Sequence, residues 1–487
     1  MKVLDLEQIR YAEKTAVSSG LFSYADLMEK AGKAVCAEIV SRYDVKDKKV
    51  LIIAGNGNNG GDGLVCANLL RECGANVYFM FPIGIPKTDT AITFIEPVAD
   101  LPVISDLTDS YDLYIDALFG IGLNRALTPK IEAIIEKLNS YKGIKIAVDV
   151  PSGVIADGGR SSKVFKADLT VTFIGYKLCQ LLPDTSDSCG EIVLNTLDID
   201  VKDNYSYRTI EPPIEKKFSK NSHKGTFGTT LHICGSYGMC GAAILAARAS
   251  AVSGAGIVKS VVCDKNYTAF TQSVPEAVTV PVGTSADGTL ILGDKALQTA
   301  LLGASSLLIG CGLGSSDAVK TFVHRALQVS KVPTVLDADG INAIASDISI
   351  LSKTEAPIII TPHPGEMAKL LNITAADVQS NRVKCAKKLA CGYNCVVVLK
   401  GANTIVAAPS GEVYFNITGN YGMAKGGSGD VLSGIIAALL ANGYDTLTAA
   451  LYGVYVHGAA GDRAAKKYSK RGMLPSDIIR ELKYISY

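Results

Sequence analysis

The chain has 487 residues and a mass of 51.2 kDa, a length that suits two large α/β domains or about three smaller ones. Hydrophobic residues make up 48% and charged residues 20%, a composition that excludes a disordered chain. The 48 basic and 47 acidic residues give a formal net charge of +1, which argues against a protein that binds nucleic acid through bulk charge.

The sequence also favours an intracellular protein without a membrane segment. Charges recur every few residues in the first 17, so this stretch does not read as a signal peptide. The longest uncharged stretch, residues 296–316, is rich in glycine and serine and predicts a buried strand with a loop, not a membrane span. The twelve cysteines form no CxxC pair and are expected to be reduced thiols. We therefore expect a cytoplasmic location and no membrane partner.

The first half of the chain alternates predicted strands with predicted helices. The helices are expected at residues 62–73 and 130–138, and the strands at 49–53, 76–81, 112–116, 144–150, 169–173 and 192–197. Near-continuous apolar strands with helical crossovers predict a parallel sheet covered by helices on both faces.

A second α/β series follows a polar stretch. Residues 198–224 carry a Pro212-Pro213 pair and lack periodicity, so they predict a linker. Further strands are expected at residues 229–234, 257–262, 307–309, 334–337, 357–361 and 396–399. We predict two unlike α/β domains, 1–210 and 211–487.

The first predicted strand ends in a glycine-rich turn, Gly55-Asn56-Gly57-Asn58-Asn59-Gly60. It matches the GxGxxG fingerprint of dinucleotide-binding domains. The end of the next predicted strand, residues 79–84, offers no carboxylate for a ribose, so a dehydrogenase is disfavoured. The turn still suits an anion at a helix start. In the alternative interpretation it is only a turn, with Asp62 as the N-cap of the helix.

Two later strands each end in an aspartate. Asp116 precedes the loop ALFGIG, and Asp149 precedes Val-Pro-Ser-Gly with Ser152. Ligands of open α/β sheets bind at the carboxyl ends of the strands. Oxygen atoms of Asn59, Asp116 and Ser152 would converge there on a hard cation, leaving Asp149 for proton transfer.

The motifs GNGNNGGDG, DALFGIG and DVPSG together resemble the NAD(P)H-hydrate epimerase domain, over residues 1–200. The resemblance implies a Rossmann-like three-layer domain with K⁺ held by Asn59, Asp116 and Ser152, and Asp149 is our candidate for moving protons. It further implies that a hydrated nicotinamide nucleotide is bound by Asn58, Asn59, Gly60, Gly61, Asp62, Gly120, Ile121, Gly122, Leu123, Asn124, Arg125, Ala126 and Asp149.

In the second half, Gly426-Gly427-Ser428-Gly429-Asp430 precedes an apolar helical run, residues 431–440. Backbone N–H groups at such a helix start form an anion hole, and Asp430 beside it suits removal of a proton from a hydroxyl. The alternative is that Asp430 only complements the helix dipole. No GxxxxGK[ST] sequence is present, so a P-loop NTPase is excluded.

Six further motifs lie at or beside the predicted strand ends: 223–228, 235–236, 254–256, 337–340, 361–366 and 400–404. With the GGSGD turn they resemble the ADP/ATP-dependent NAD(P)H-hydrate dehydratase domain of the ribokinase-like superfamily, over residues 216–487. The resemblance implies a three-layer fold, Mg²⁺, and substrate binding by Ala255, Gly314, His363 and Asp430. ADP or ATP would be bound by Lys400, Gly401, Ala402, Asn403, Thr404 and Gly429.

Several residues keep two interpretations. His363 is either a restrained donor to a ligand or part of a rigid Pro-His-Pro turn, and Glu366 either orients a magnesium-bound water or caps a helix. Cys311, Tyr421 and Lys425 depart from the pattern of the family. Lys425 in particular is a candidate to alter the preference for ADP over ATP.

The sequence thus predicts a bifunctional enzyme that epimerises R and S NAD(P)H-hydrate and dehydrates the S form at the expense of ADP or ATP. We expect it to form a homo-oligomer, from resemblance alone. The alternative is a ribokinase-like kinase for a vitamin or small alcohol, with a nucleotide-sensing N-terminal domain.

Overall fold

The computed structural model describes residues 1–201 and 207–486, and the chain divides into two compact units, Met1–Tyr207 and Arg208–Tyr487. Residues 202–206 of the predicted linker lie outside the described residues. The elements of the first unit, in chain order, are β1 (Lys2–Leu4), α1 (Leu6–Ser18), α2 (Tyr24–Arg42), β2 (Lys49–Ala54), α3 (Asn58–Glu72), β3 (Asn76–Met80), α4 (Asp89–Ile92), β4 (Leu113–Ala117), α5 (Pro129–Ser140), β5 (Ile144–Val148), β6 (Leu169–Phe173), β7 (Tyr176–Lys177), α6 (Leu178–Leu181), α7 (Pro183–Ser186) and β8 (Glu191–Asn195).

The first unit is built on a parallel sheet with the strand order β3-β2-β4-β5-β6-β8. Alternate side chains of β2 point to opposite faces, as the period of two in a strand requires. Val50 and Ile52 pack in one apolar cluster with residues of α1, α2 and α3, whereas Leu51 and Ile53 pack in another with α5. The predicted parallel sheet with helices on both faces is confirmed.

The second unit begins in β9 (Tyr207–Thr209). It continues with β10 (Thr229–Ile233), α8 (Cys240–Val252), β11 (Ile257–Cys263), α9 (Tyr267–Ser273), β12 (Val278–Thr284), β13 (Leu290–Ile291), α10 (Asp294–Leu301), β14 (Ser306–Ile309), α11 (Asp317–Val329), β15 (Thr334–Leu336), α12 (Asp339–Ile344), β16 (Ile358–Ile360), α13 (Pro364–Leu371), α14 (Ala375–Ser380), α15 (Arg382–Tyr393), β17 (Val396–Leu399), β18 (Ile405–Ala407), β19 (Val413–Phe415), α16 (Ser428–Ala441), α17 (Thr446–Tyr468) and α18 (Pro475–Leu482).

Strands β12-β11-β10-β14-β15-β16-β17 of this unit are parallel neighbours in that order. Antiparallel strands extend both ends, with β13 beside β12 and with β18 and β19 beyond β17. The sequence analysis missed β12, β13, β18 and β19, because β12 is only partly buried and the other three have only two or three residues each. Helix α16 is apolar around most of its circumference and packs against α8, which makes it the centre of the helical layer.

The uncharged stretch at residues 296–316 covers the end of α10, the whole of β14 and the loop that follows. Among the described helices, none combines the length and apolarity that crossing a bilayer requires.

A buried histidine makes the stability of the second unit depend on pH. His232 of β10 is 1% exposed, and its Nε2 lies 3.1 Å from Oγ of Ser250. Burial lowers the pKa of this imidazole to about 3, so it is neutral in the folded protein. In the unfolded chain a histidine has a pKa of about 6.5 and takes up a proton below that pH. The contribution of His232 to the free energy of unfolding is therefore fully present above about pH 6.5. It decreases as the pH falls from there toward the pKa of His232 in the folded protein.

We expect His232→Gln to flatten this pH dependence. The wild-type chain should lose up to about 1.4 kcal/mol of unfolding free energy per pH unit through this group, and the variant should not. Guanidinium unfolding followed by circular dichroism from about pH 7.5 to about pH 4.5 measures both slopes. Equal slopes in the two proteins would show that His232 is not responsible.

Candidate active sites

The glycine-rich turn after β2 is shaped by close packing of the backbone. A Cβ on Gly55 would lie 1.9 Å from the carbonyl oxygen of Leu118, and one on Gly60 would lie 2.0 Å from the carbonyl oxygen of Gly55. A Cβ on Gly63 would lie 2.7 Å from that of Ala117. Glycine is therefore required here so that α3 can lie directly against β4 and its loop.

The alternative interpretation of Asp62 as a helix cap is wrong. Helix α3 begins at Asn58, with Gly57 as its N-cap, so Asp62 lies inside the helix. Burial, and then the neighbouring carboxylates of Asp149 and Glu13, raise the pKa of Asp62 well above its usual value. The pKa of Glu13 in α1 is raised in the same way, by burial first and by Asp149 second. Asp62 and Glu13 therefore both lie near enough to Asp149 for its charge to raise their pKa values.

Of these three carboxylates, Asp149 is held most firmly. Its φ is +68°, and the N–H of Val150 donates to the carbonyl of Val148 at 2.9 Å, so Asp149 is the central residue of a γ-turn. The buried ammonium of Lys177 donates to Oδ1 of Asp149, which also accepts from Oγ1 of Thr172 at 3.1 Å. No donor among the described residues reaches Oδ2, so this oxygen is left for a ligand.

Lys177 is a site residue that the sequence analysis missed. Its side chain is 1% exposed and also donates to Oγ1 of Thr172 at 2.6 Å and to the carbonyl of Phe173 at 2.9 Å. The signal was a single charge in the apolar run IGYKLCQLL, because an isolated lysine inside such a run needs a buried partner.

Asp116 and Ser152 come together as predicted. Oδ1 of Asp116 accepts from the hydroxyl of Ser152 at 2.6 Å, and Oδ2 accepts from its backbone N–H at 2.7 Å. Burial raises the pKa of Asp116 to about 6, although these bonds act in the opposite direction. Asn59 lies in the first turn of α3. Its Oδ1 faces Gly120, where a Cβ would lie 3.0 Å away. The Nδ2 of Asn59 is buried and has no hydrogen-bond partner among the described residues.

The predicted substrate loop after β4 leads away from this cluster toward solvent. Gly120 packs beside Asn59 and Leu123 is buried, whereas Gly122, Asn124, Arg125 and Ala126 are exposed. This loop therefore forms a rim beside the buried carboxylates.

In the second unit, the carboxylate of Asp337 joins several elements. Its Oδ1 accepts from Nζ of Lys400 at 2.7 Å and from Oγ1 of Thr361 at 2.7 Å, and its Oδ2 accepts from Oγ of Ser433 at 2.8 Å. Burial acts to raise the pKa of Asp337, but Lys400 and the two hydroxyls hold it below its usual value. Asp337 is therefore a fixed negative charge.

Asp430 lies beside this pair in the first turn of α16. The helix starts at Ser428 because Gly427 adopts a φ of +97° that glycine tolerates, so Ser428, Gly429 and Asp430 belong to the helix and not to the turn before it. A Cβ on Gly429 would lie 3.3 Å from Nζ of Lys400, which places the helix start directly over the buried ion pair. Burial first, and the charge of Asp337 second, raise the pKa of Asp430 to about 6.

His363 and Glu366 form the N-terminal cap of α13. Nδ1 of His363 accepts from the N–H groups of Gly365 at 2.9 Å and Glu366 at 3.3 Å, and Oε2 of Glu366 accepts from the N–H of His363 at 2.7 Å. This geometry favours the helix-cap interpretation for Glu366. It also leaves Nε2 as the nitrogen of neutral His363 that carries the proton, and this nitrogen lies 3.4 Å from Oε1 of Glu366.

The predicted nucleotide loop follows β17. Lys400 begins the loop, Asn403 has a φ of +50°, and Oγ1 of Thr404 donates to the carbonyl of Gly401 at 2.9 Å. Buried Arg382 supports the loop from below through its bonds to the carbonyls of Leu399 at 3.0 Å and Lys400 at 3.2 Å. Sequence reasoning missed Arg382, because nothing local distinguishes it from the other basic residues of α15.

One predicted substrate residue lies apart from the others. Ala255 lies between α8 and β11, at the amino end of the strands, whereas Lys400, His363 and Asp430 lie at their carboxyl ends. The glycine motif 254–256 closes the return from α8, where a Cβ on Gly256 would lie 1.9 Å from the carbonyl oxygen of Lys224. Gly314 lies at the carboxyl edge as predicted, and its N–H donates to Oδ2 of Asp339 at 2.8 Å. The small side chain that faces this glycine loop is Ala242, whose Cβ would lie 3.0 Å from one on Gly312.

Lys425 donates to the carbonyls of Arg471, at 2.8 Å, and of Met473. Its ammonium therefore holds the loop before α18 in place through these two hydrogen bonds. Tyr421 is 73% exposed. The effect of Lys425 on the choice of phosphoryl donor stays a prediction.

Known proteins match both units. Residues 230–484 match the family model described as NAD(P)H-hydrate dehydratase, and residues 24–179 match the model described as YjeF-related protein N-terminus. A bifunctional NAD(P)H-hydrate repair enzyme of Moorella thermoacetica is 34% identical over 519 residues, covering 100% of this chain and 96% of that protein.

This chain belongs to the family of bifunctional NAD(P)H-hydrate repair enzymes. A member from Vibrio cholerae is 35% identical over 495 residues, covering 98% of this chain and 96% of that protein. A solved structure of a ribokinase-like superfamily protein from Enterococcus faecalis matches with a TM-score of 0.50 and 26% identity, over 58% of this chain and 97% of that one. The predicted family, fold class and enzyme activities are confirmed, and the kinase alternative is less well supported. The repair enzyme has an epimerase domain and a dehydratase domain.

The buried pair of Lys177 and Asp149 should be strongly coupled in the repair enzyme. We expect Lys177→Met to destabilise the epimerase unit by about 3–5 kcal/mol, because it leaves a buried carboxylate without its counter-charge. Asp149→Asn alone leaves the ammonium unpaired, so the double variant should be less destabilised than the sum of the single variants. Denaturant unfolding of the four proteins measures the coupling. Additive effects would contradict a direct interaction.

Proposed function

We propose that Asp149 and Asp430 are the catalytic residues of the two activities, and that ADP or ATP drives the dehydration. The observation that carries the proposal is the setting of Asp430. This largely buried carboxyl group, with a pKa raised to about 6, stands at the N-terminus of α16 beside the Lys400–Asp337 ion pair. A base with a pKa near neutrality can accept a proton at working pH and release it again.

In the proposed dehydration, Asp430 removes the proton from the ring hydroxyl of S-NAD(P)H-hydrate. The hydroxyl oxygen then takes the terminal phosphoryl group of the nucleotide, which leaves AMP when the donor is ADP. Loss of phosphate from the ring, together with a proton from the adjacent carbon, restores the dihydropyridine. The N–H groups of Gly427 and Gly429, at the start of α16, and the ammonium of Lys400 would stabilise the negative charge of the transferring group.

The nucleotide is proposed to lie along the loop Lys400–Thr404 and against Gly429, with His363 donating from Nε2 to the substrate. Mg²⁺ supplies charge neutralisation for the phosphates when it is bound. Glu366 would hold a water of that ion, since its carboxylate lies at the same edge, 3.9 Å from Nζ of Lys400. Its Oε2 already accepts from the N–H of His363, so an indirect contact suits it better than direct ligation.

In the epimerase unit, the free Oδ2 of Asp149 is proposed to exchange a proton with the hydrated nicotinamide, while Lys177 orients the carboxylate through Oδ1. The substrate would bind along residues 58–62 and the rim at residues 120–126.

We further propose that Asp116, Ser152 and Asn59 hold K⁺ in the epimerase unit. All three side chains offer oxygen, which is the ligand type that hard cations require. The carboxylate and hydroxyl are already joined by hydrogen bonds, and Oδ1 of Asn59 faces the loop after β4, 3.0 Å from where a Cβ on Gly120 would lie. The ion would add positive charge beside Asp116 and fix the three loops relative to one another.

Recovery of NADH absorbance from an R/S mixture of hydrated NADH tests both catalytic assignments. With Mg²⁺, K⁺ and ADP, the wild-type enzyme should recover all of the NADH. Asp149→Asn should stop once the S form is consumed, and Asp430→Asn should be slower by at least about 10²-fold from the start. Repeating the assay with ATP identifies the donor.

The exposed aspartates Asp100 and Asp317 provide matched controls, one in each unit. Asp100→Asn and Asp317→Asn should recover NADH as the wild type does. Full dehydration by Asp430→Asn would refute its role as the base, and full recovery by Asp149→Asn would refute its role in epimerisation.

The K⁺ proposal predicts a selective effect of Asp116→Asn. The isosteric amide lacks the charge that attracts the ion, so at least about tenfold more K⁺ should be needed for half-maximal epimerisation. Epimerisation rates in KCl against choline chloride at equal ionic strength measure this, and dehydration of pure S-hydrate provides the control. An unchanged K⁺ response would contradict the assignment.

A further inference from the structure

A thiol lies between the two carboxylates of the dehydratase site. Cys311 follows β14 and is fully buried, and its Sγ lies 3.7 Å from Oδ2 of Asp337. A carboxylate oxygen of Asp430 lies within 4.8 Å of the same thiol. One ligand atom from each of the three side chains lies within 4.8 Å of the other two. The role proposed for Asp430 does not use this thiol.

A second thiol adjoins the first. Cys234 directly follows the neighbouring strand β10 and is 1% exposed, and the N–H of the next residue, Gly235, donates to the carbonyl of Cys311 at 2.8 Å. The centre therefore combines two sulfur atoms with two carboxylates, a donor set that differs from an acidic cluster. Sulfur together with carboxylate oxygen favours borderline and soft cations such as Zn²⁺ and Cd²⁺ over Mg²⁺.

The spacing suits such an ion after a small contraction. Zn–S and Zn–O bonds of about 2.3 and 2.0 Å place the ligand atoms of a tetrahedral centre about 3.3–3.8 Å apart. Cys311 and Asp337 already have this separation, and Asp430 has to approach by about 1.5 Å or less. Because Asp430 is partly exposed, the ion has a route in, and the fourth position stays open for water.

The charges also suit a divalent cation. Oδ2 of Asp337 keeps one lone pair for a metal while its Oδ1 remains bonded to Lys400, so the ion pair need not break. With the thiol neutral, the two carboxylates and Lys400 leave a net negative charge in a largely buried space. When a divalent cation binds, the thiol releases its proton to water. The two carboxylates and the thiolate then balance the charges of Lys400 and the cation.

We propose that Cys311, Asp337 and Asp430 form a binding site for a thiophilic divalent cation, with Cys234 beside it. The M–S bond forms as the S–H proton leaves, and no oxidation state changes. The ion occupies the carboxylate of Asp430, so its binding blocks dehydration and spares epimerisation. This last consequence rests on the proposed role of Asp430, whereas the site itself does not.

The test is titration of the reduced enzyme with Cd²⁺ alone, followed by the ultraviolet absorbance of the cadmium–thiolate bond. All proteins carry Cys73→Ser and Cys391→Ser, because those two thiols are exposed. We expect the parent to show a saturable band that Cys311→Ser lacks, with affinity at least about tenfold weaker in that variant. Cys395→Ser, which removes another buried thiol of the same unit, should behave as the parent does.

Asp430→Asn provides a second variant that retains every thiol. It should also bind Cd²⁺ at least about tenfold more weakly, so the proposal remains testable if Cys311→Ser does not fold. Unchanged Cd²⁺ affinity and absorbance in either variant would overturn the site. If Asp430→Asn without Cd²⁺ dehydrates at the wild-type rate, the catalytic proposal fails, while the absorbance titration still decides the metal site.

Discussion

The dehydratase unit depends on one buried carboxylate. Asp337 follows β15, and it accepts from Thr361 after β16, from Lys400 after β17 and from Ser433 within α16. A charge so deeply buried is tolerated only when its partners satisfy it. The consequence is geometric, since four elements that are distant in sequence must meet at one point. The start of α16, and with it Asp430, is fixed by this requirement.

The epimerase unit also contains a buried carboxylate, Asp149, but other groups satisfy it. Lys177 supplies the counter-charge for Asp149, and Gln180 donates to the backbone carbonyl of Asp149 at 2.9 Å. Carboxyl groups without such a lysine behave differently, because burial raises the pKa of both Asp116 and Asp430 to about 6. In the dehydratase unit an ion-paired aspartate and an unpaired one thus stand side by side, one suited to hold charge and the other to exchange a proton.

Local sequence predicted the features that local sequence controls. Apolar runs between glycine turns located the central strands, and the aspartates at their ends located both sites. The sequence did not identify Lys177 and Arg382 as site residues, because their roles arise from contacts with residues that are distant in sequence. The position of Ala255 at the opposite edge could not be read from the sequence, because a glycine turn looks the same at either edge of a sheet. The helix after this turn was predicted to begin at Asp62, but it begins one turn earlier, with Gly57 as its N-cap.

The γ-turn at Asp149 links the epimerase site to the cooperative core of its sheet. The N–H of Asp149 donates to the carbonyl of Val171 in β6 at 2.8 Å, and Ile174, just beyond that strand, is the centre of a second such turn with a φ of +68°. Neither conformation is favoured by a side chain in isolation, so each persists only while β5 and β6 stay paired. Hydrogen exchange at this turn is therefore governed by the opening of the sheet and not by fraying of a surface loop. The active geometry and the fold are lost in the same event.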